Sequence, residues 1–459
     1  MKFQVFKKSS FLGVRHLQCF LLFLAMVIAF SMRVNISMAI VSMTDTTQEN
    51  SFAWSLQIQS VILSSFSWGY VVLQIPAGEL ATRFGGMILI TTCIGVNSIV
   101  TLLIPTGAYY GGWPILCLCR TLQGLSQGFL FPTVHHLIGK WVPLEEKGRL
   151  GSFIYTGAQL GTALQLIAAG FIADSWGWPA IFYVTGILGT IWTIAYLFLG
   201  SASPRSSKII SDDERTFIES SLGHLGKDQK KLSTPWKSVL TSLPFYALMM
   251  AQCGHIWGLW TLMTEIPSYM KRVLGMDIQS SGVLSALPYI TMFLLSFPVG
   301  YASDFILKKK WVSVTVCRKL FNSLGLYGPA IALLGLSYVP SGDLMLAVIL
   351  MIIVVGLNAG HYTGFLLVHI DMAPNFAGTL MGICNFVSNV ISILAPLIAG
   401  ALIKDEADPY EWRKVFYLSS AVYIFTNTFF VIFGTSERQT WNDVQVKTNE
   451  ENHTTDTKP

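Results

Sequence analysis

Runs of about 20 predominantly apolar residues, the length a helix needs to cross a bilayer, recur twelve times along this chain. They fall near residues 17–43, 57–81, 87–106, 113–138, 149–172, 178–200, 241–271, 280–303, 313–338, 344–371, 376–403 and 413–434. The polar segments between them are short except for 201–240, which divides the runs six and six. The pattern predicts an all-α integral membrane protein of twelve transmembrane helices in two six-helix halves. A short tail (1–16) precedes the first half (17–200). A linker (201–240) joins it to the second half (241–434), and a polar tail (435–459) follows. The first run is too long for a signal-peptide core and lacks a small-residue cleavage site, so it reads as a retained helix. Within the linker, Ser211 and Glu214 have the spacing of a capping box. Phe217, Ile218, Leu222 and Leu225 then predict one apolar face of a short helix lying on the membrane surface.

Composition supports the same class. The 459 residues are 52% hydrophobic and only 12% charged, against about 25% charged in a soluble domain. The net charge of +5 is spread over short loops rather than gathered on a hydrophilic domain, which excludes nucleic acid as the partner. Twenty-three lysines and arginines fall in segments on the N-terminal side of the bundle and five on the other, so the positive-inside rule places both termini in the cytosol. The seven cysteines sit in or beside apolar runs and show neither a disulfide framework nor zinc spacing. No metal or organic cofactor is expected, apart from Na+ as a co-transported ion.

Two cations break the pattern. Arg33 and Arg120 lie deep inside apolar runs, where a charge costs about 3 kcal/mol or more and usually faces a bundle interior or a watery cavity. With few buried acids to neutralise them, they predict a site for a small anion. Other polar residues inside the runs are weaker candidates: His255 and Glu265 in the seventh, His361 with Asn358 and Tyr362 in the tenth, and Gln127 in the fourth. His369, Asp371, His135 and His136 lie near run ends and read as structural or gating contacts. Glu79 and Arg83, one turn apart, read as a local ion pair.

An internal repeat ties the halves together. QIPAGELATRFGG ends the second run and SFPVGYASDFILKKK ends the eighth, so that Pro76 and Gly78 match Pro298 and Gly300 at an offset of 222. Both copies close the second helix of a six-helix half, as parallel six-helix repeats require. Here the chain resembles the major facilitator superfamily, whose G-x-x-x-D-R-x-G-R motif occupies this loop. The resemblance implies gating roles for Gly78, Arg83, Gly300 and Asp304, although the first copy has Thr82 where the motif has Asp. Applying the same offset to Arg33 gives His255, which predicts a cation and an imidazole at equivalent depths, facing each other across a central cavity.

At a finer level the sequence is similar to solute carrier family 17, the group of sodium-phosphate, sialic acid and vesicular glutamate carriers. The matching segments run almost end to end: RVNISMAIVSM from Arg33, ILSSFSWGYVVLQIPAG from Ile62, RTLQGLSQGFLFP from Arg120, KWVPLEEKGRL from Lys140, GWPAIFY from Gly177, PWKSVLTSLP from Pro235, GVLSALPY from Gly282, RKLFNSLG from Arg318 and HIDMAPNFAGTLMGICN from His369. The resemblance implies that Arg33 and Arg120 are the family's arginines of helices one and four. It also marks departures. Gln127 stands where the glutamate and sialic acid carriers have an acid, His255 where the glutamate carriers have an arginine, and Leu63 where they have a histidine. These point to the phosphate-transporter-like branch.

The expected function is therefore secondary active transport of inorganic phosphate or a small organic anion, by alternating access and with sodium as the coupling ion. Arg33, Arg120 and His255 would bind the substrate, while Gln127, Glu265 and His361 would serve coupling or line the cavity. Moving one negative charge inward against about 60 mV costs roughly 1.4 kcal/mol, so uptake needs co-moving cations whereas efflux runs on voltage alone. Voltage-driven organic anion carriage and a non-transporting nutrient sensor are the alternatives. An intramembrane histidine also suits an acyltransferase, but that reading leaves both arginines unexplained, and no enzyme activity is expected. The chain is expected to be a monomer in the plasma membrane, with vesicular and lysosomal membranes as alternatives.

Overall fold

Inside a bilayer each backbone N–H and C=O must find its partner within the segment or in a closed barrel. Helices are what the computed structural model shows, with no strand among the described residues, which are 13–45, 51–143, 146–223, 235–340, 343–373 and 376–442. The first six predicted runs correspond to α1 (Val14–Met43), α2 (Leu56–Phe84), α3 (Gly86–Gln127) with α4 (Leu130–Trp141), α5 (Lys147–Trp176) and α6 (Trp178–Leu199). Two short helices follow, α7 (Asp212–Gly223) and α8 (Trp236–Leu240). The last six runs correspond to α9 (Leu243–Arg272), α10 (Ile278–Lys308), α11 (Val314–Ser337), α12 (Leu344–Leu357) with α13 (Phe365–Met372), α14 (Ala377–Leu402) and α15 (Pro409–Phe433).

Among the described residues, ten helical stretches are long and apolar enough to cross a membrane. One of them, Gly86–Trp141, holds the third and fourth predicted runs. It turns at Gly112, whose φ of 62° and ψ of −158° suit a residue without a Cβ, between Pro105 and Pro114. The helix α9 lies outside those ten and completes the twelve predicted runs. It carries Gln252, His255, Glu265, Lys271 and Arg272 along its length. The tenth run is not one continuous helix: a buried 3-10 turn, Asn358–Tyr362, separates α12 from α13.

Contacts group the chain into two units, one of residues 1–228 and 263–289 and the other of 229–262 and 290–459. Both α9 and α10 pass from one unit into the other, so Met263–Arg272 and Ile278–Tyr289 pack within the first.

In the first unit small residues let helices approach closely, as expected where lipid offers no hydrophobic drive between helices. A Cβ on Gly161 would meet the Val27 carbonyl oxygen at 2.3 Å and one on Gly157 the Phe23 carbonyl oxygen at 2.7 Å, which fixes α5 against α1. The same device clamps α2 to α3, because a Cβ on Gly69 would meet the Thr121 carbonyl oxygen at 1.9 Å and one on Gly124 the Phe66 carbonyl oxygen at 1.8 Å. Lys271 pairs with Asp45 at 3.1 Å and Arg272 donates to Thr44 Oγ1 at 3.0 Å, holding the end of α9 to the end of α1.

The linker helix is α7, and its dock corrects two expectations. Ser211 caps it, accepting from Glu214 N at 3.3 Å. The Glu214 carboxylate serves other donors: it accepts the backbone N–H groups of Val14 and Arg15 at 2.9 and 3.1 Å and pairs with Arg15 Nη1 at 3.0 Å. It caps the start of α1, where an anion complements the helix dipole. Arg15 also pairs with Glu146 at 2.8 Å and is only 4% exposed, so this cation is buried although the sequence pattern places it in a tail. Ile218 is fully buried in the core of this unit with Phe217 packed beside it, while the Leu222 side chain and Leu225 lie outside the described residues.

In the second unit α11 is the hub, packing on α15, α12 and the 3-10 turn. A Cβ on Gly360 of that turn would meet the Phe321 carbonyl oxygen at 2.4 Å. Gly254 and Gly258 admit Thr426 and Tyr423 of α15 in the same way. Arg318, near the start of the ninth run, is another buried cation, paired with Asp371 at 2.9 Å and donating to the Thr363 carbonyl at 3.2 Å.

Candidate functional site

Four arginines are buried among the described residues, and their partners sort them. Arg15 and Arg318 each meet a carboxylate at 3.0 Å or less. Arg120 meets only neutral oxygens: Nη1 donates to Gln123 Oε1 at 2.9 Å and Nη2 to the backbone carbonyl oxygen of Arg33 at 3.1 Å. Gln123 is held in turn, donating to Thr101 Oγ1 at 2.7 Å, and Asn97 and Ser126 extend the network along α3.

Arg33 is surrounded by aromatic faces. Its guanidinium carbon lies 4.4 Å from the Tyr70 ring centre, 4.5 Å from Phe66 and 5.2 Å from Phe30. Arg120 lies 5.1 Å from the same Phe66 ring, so one phenyl ring serves both cations. The source of this arrangement is local. Phe66 and Tyr70 flank Gly69 on α2, and the glycine-mediated contact brings this stretch of α2 close to the helix that carries Arg120. Rings stabilise the planar cation through their quadrupole and restrict its tilt, yet they do not neutralise its charge. Two guanidinium groups set in a membrane-spanning unit with aromatic and neutral-oxygen neighbours form a centre of positive potential. Its best complement is a small anion with oxygens that match a planar fork.

Gln127 is committed to packing. It is fully buried and donates to the Ala29 carbonyl oxygen at 2.8 Å. Arg120 and Gln127, two turns apart on α3, therefore clip α1 at carbonyls one turn apart, those of Arg33 and Ala29.

The second unit carries another candidate. His255 and His361 stack with ring centres 3.9 Å apart and planes 27° apart. His361 Nδ1 lies 2.7 Å from the Asn358 carbonyl oxygen, which makes Nδ1 the protonated nitrogen of the neutral ring and leaves Nε2 as an acceptor. Tyr362 lies 4.0 Å from His361, and Phe365 lies 5.7 Å from both imidazoles. Asn358 donates to Tyr423 Oη at 3.3 Å, which anchors the 3-10 turn to α15. A broken helix with polar groups at the break is where transporters commonly build binding sites.

The remaining predicted positions are dispersed. Glu265 is buried in the part of α9 that packs within the first unit, its Oε1 accepting from Thr264 Oγ1 at 3.3 Å. Gly300 and the exposed Asp304 lie in the last turns of α10. Gly78 and Arg83 are helical within α2, but their side chains, with those of Glu79 and His135, lie outside the described residues. The sequence reading paired His255 by repeat symmetry and did not anticipate its stack on His361. It also missed the aromatic set around Arg33, although Phe66 and Tyr70 stand one turn apart on α2, a spacing that places both on one face.

Comparisons with known proteins identify the family and the fold. The family model described as Major Facilitator Superfamily matches residues 21–396. A Drosophila melanogaster protein named "Putative inorganic phosphate cotransporter" is 41% identical over 94% of this chain and 87% of its own length. Sialin of Homo sapiens is 35% identical over 94% of this chain and 91% of its own length, and vesicular glutamate transporter 3 of Danio rerio 33% identical over 91% and 72%. Among solved structures, a bacterial homologue of the human lysosomal transporter Spinster superposes with a TM-score of 0.70 at 14% identity, covering 91% of this chain and 96% of that one. The D-xylose–proton symporter superposes with a TM-score of 0.69 at 15% identity, over 92% of this chain and 100% of that one. At such identities the two structures speak for the fold alone.

Proposed function

Because this chain belongs to the major facilitator superfamily and, within it, to solute carrier family 17, we propose that it carries inorganic phosphate or a small organic anion across its membrane, with Arg33 as the direct anion ligand and sodium as the coupling ion. It is a multi-pass membrane protein of an anion-transporting family. The observation that carries the assignment of cargo chemistry is Arg33 itself. Its guanidinium is buried and held by three aromatic rings, which suits it to receive an anion's oxygens in a fixed orientation. Arg120 plays the supporting part: it adds positive potential while its bonds fasten α3 to α1. The name of the Drosophila relative favours phosphate, and those of sialin and the glutamate carrier favour organic anions.

The carrier works by alternating access, and one of its features supports coupling to sodium rather than protons. Gln127 has no titratable proton, and its amide is engaged with the Ala29 carbonyl. Inward movement of an anion against the membrane potential also needs a co-moving cation, since each charge costs about 2.3 kcal/mol per 100 mV. We assign both termini to the cytosol, a reading that the positive loop charge supports, and the protein to the plasma membrane as a monomer. The test is uptake of labelled phosphate and a panel of organic anions into proteoliposomes, with and without sodium. Net flux of an anion is expected. Binding without flux would make the protein a sensor, and a chemically altered substrate would make it an enzyme.

A further inference from the structure

Polar residues recur on α14 as Asn385, Ser388, Asn389 and Ser392, the spacing of a single helix face. Ser388, Asn389 and Ser392 are buried and Asn385 is half-buried. Facing them from α9 is Gln252, 3% exposed. Its Nε2 donates to Asn385 Oδ1 and, at 3.4 Å, to Ser388 Oγ. Ser388 gives its own proton to the Asn385 carbonyl oxygen at 3.1 Å, which leaves its lone pairs turned to Gln252. Gln252 Oε1 is buried with no hydrogen-bond partner. All of these residues belong to the second unit.

We propose that Gln252, Asn385 and Ser388 form a binding site for a monovalent hard cation, sodium by its chemistry, and that this is the coupling-ion site of the transporter. The proposal rests on the sodium-coupled reading above and adds a location to it. A half-turn of the Gln252 carboxamide exchanges Oε1 and Nε2, bringing an acceptor toward Asn385 Oδ1 and Ser388 Oγ. Three neutral oxygens then converge with no proton between Gln252 and Asn385, an arrangement that repels itself when empty and is stabilised by a cation. Water reaching the half-buried Asn385 completes the shell. The donors are oxygen only, with no imidazole or thiolate, which disfavours transition metals. The absence of a carboxylate from the three disfavours calcium and magnesium, which need charged ligands.

The missing carboxylate also explains coupling. A neutral cage leaves the cation's charge uncompensated in a low-dielectric interior, so an anion bound to the same protein raises the cation's affinity. By linkage the cation then raises the anion's affinity by the same factor. His255 stands one turn from Gln252 on α9, so the site adjoins a residue already implicated in anion selection.

The experiment measures two quantities on the full chain: the sodium dependence of phosphate uptake in proteoliposomes, and sodium-dependent thermal stabilisation in detergent with choline as control. Ser388→Ala and Asn385→Leu are each expected to raise the half-saturating sodium concentration about tenfold or more, the equivalent of about 1.4 kcal/mol. The anion half-saturation at saturating sodium should move by less than about twofold, a few tenths of a kcal/mol on the same scale. Gln252→Glu keeps the shape and supplies charge, so it should lower the sodium requirement; this variant reports even if a truncation folds poorly. A sodium-dependent wild type whose three variants keep its half-saturation overturns the site and leaves the coupling reading standing. A wild type whose uptake and thermal stability both ignore sodium overturns both. If phosphate is not carried, the sodium-dependent thermal shift alone decides, by the same criteria.

Discussion

Arg120 Nη2 lies 3.1 Å from the backbone carbonyl oxygen of Arg33, so one intramembrane arginine is tied to the main chain of the other. A carbonyl oxygen has two lone pairs and accepts this bond in addition to its helical one. With Nη1 on Gln123 as well, Arg120 spends much of its fork on the protein, while three aromatic rings restrict the tilt of the Arg33 guanidinium. The two arginines therefore have different surroundings, and substitutions should separate them.

Arg120→Ala is expected to act mainly through the fold. It strands Gln123 Oε1 and removes a bond between α3 and α1, a loss of about 1–3 kcal/mol for buried bonds to a charged group. Thermal unfolding in detergent and surface yield should both fall. A variant that keeps wild-type unfolding but loses uptake would show instead that Arg120 contacts the anion directly.

Gln127→Glu is expected to introduce proton sensitivity. The present amide donates to the Ala29 carbonyl oxygen; a carboxylate there would face that oxygen without a proton, and only the protonated acid restores the bond. Uptake driven by an imposed proton gradient, with sodium absent and the potential clamped, should be silent in the wild type and appear in the variant. Concentrative uptake by the wild type under those conditions would show that the proton is already a coupling ion.

His255→Arg is expected to shift preference toward dicarboxylates. A planar guanidinium can stack on His361 as the His255 imidazole does now, at 3.9 Å, while adding a permanent charge. Competition by mono- and dicarboxylates against labelled substrate reads the change. An unaltered competition profile would make the stack a packing feature of the 3-10 break.

Asp277, between α9 and α10, supplies a test of local stability. Its Oδ1 accepts from Ser280 N at 2.8 Å, and this bond holds its carboxyl below the usual carboxylate range. A depressed folded value means the contribution is present above the unfolded value, about 3.9, and is lost as pH falls through the folded one. Asp277→Ala should cost about 1 kcal/mol at neutral pH, as the loss of a helix cap does. The gap between wild type and variant should close in acid, measured by thermal unfolding. A gap independent of pH would exclude the carboxylate as its source.

Much of the fold was legible because bilayer thickness sets a run length that apolar residues either meet or miss. The helix count and the two deep arginines follow from that rule. What escaped were relationships across helices. Hydropathy cannot show that Arg15 and Arg318 find carboxylates and go inside, that Glu214 caps α1 rather than its own helix, or that the tenth run breaks at Asn358–Tyr362. The repeat offset identified His255 as a polar position of interest. Its stacking partner His361 comes from a different run, 106 positions along the chain, and no periodicity connects the two.

The most direct test of the central claim is the substitution Arg33→Lys, which keeps the charge and loses the planar fork. In proteoliposomes containing matched amounts of protein, with unfolding temperatures verified as equal, uptake should show an apparent anion affinity weakened by about 10- to 150-fold, the equivalent of about 1.5–3 kcal/mol for one bond to a charged group. Wild-type affinity and rate in that variant would contradict the assignment of Arg33 as the anion's ligand.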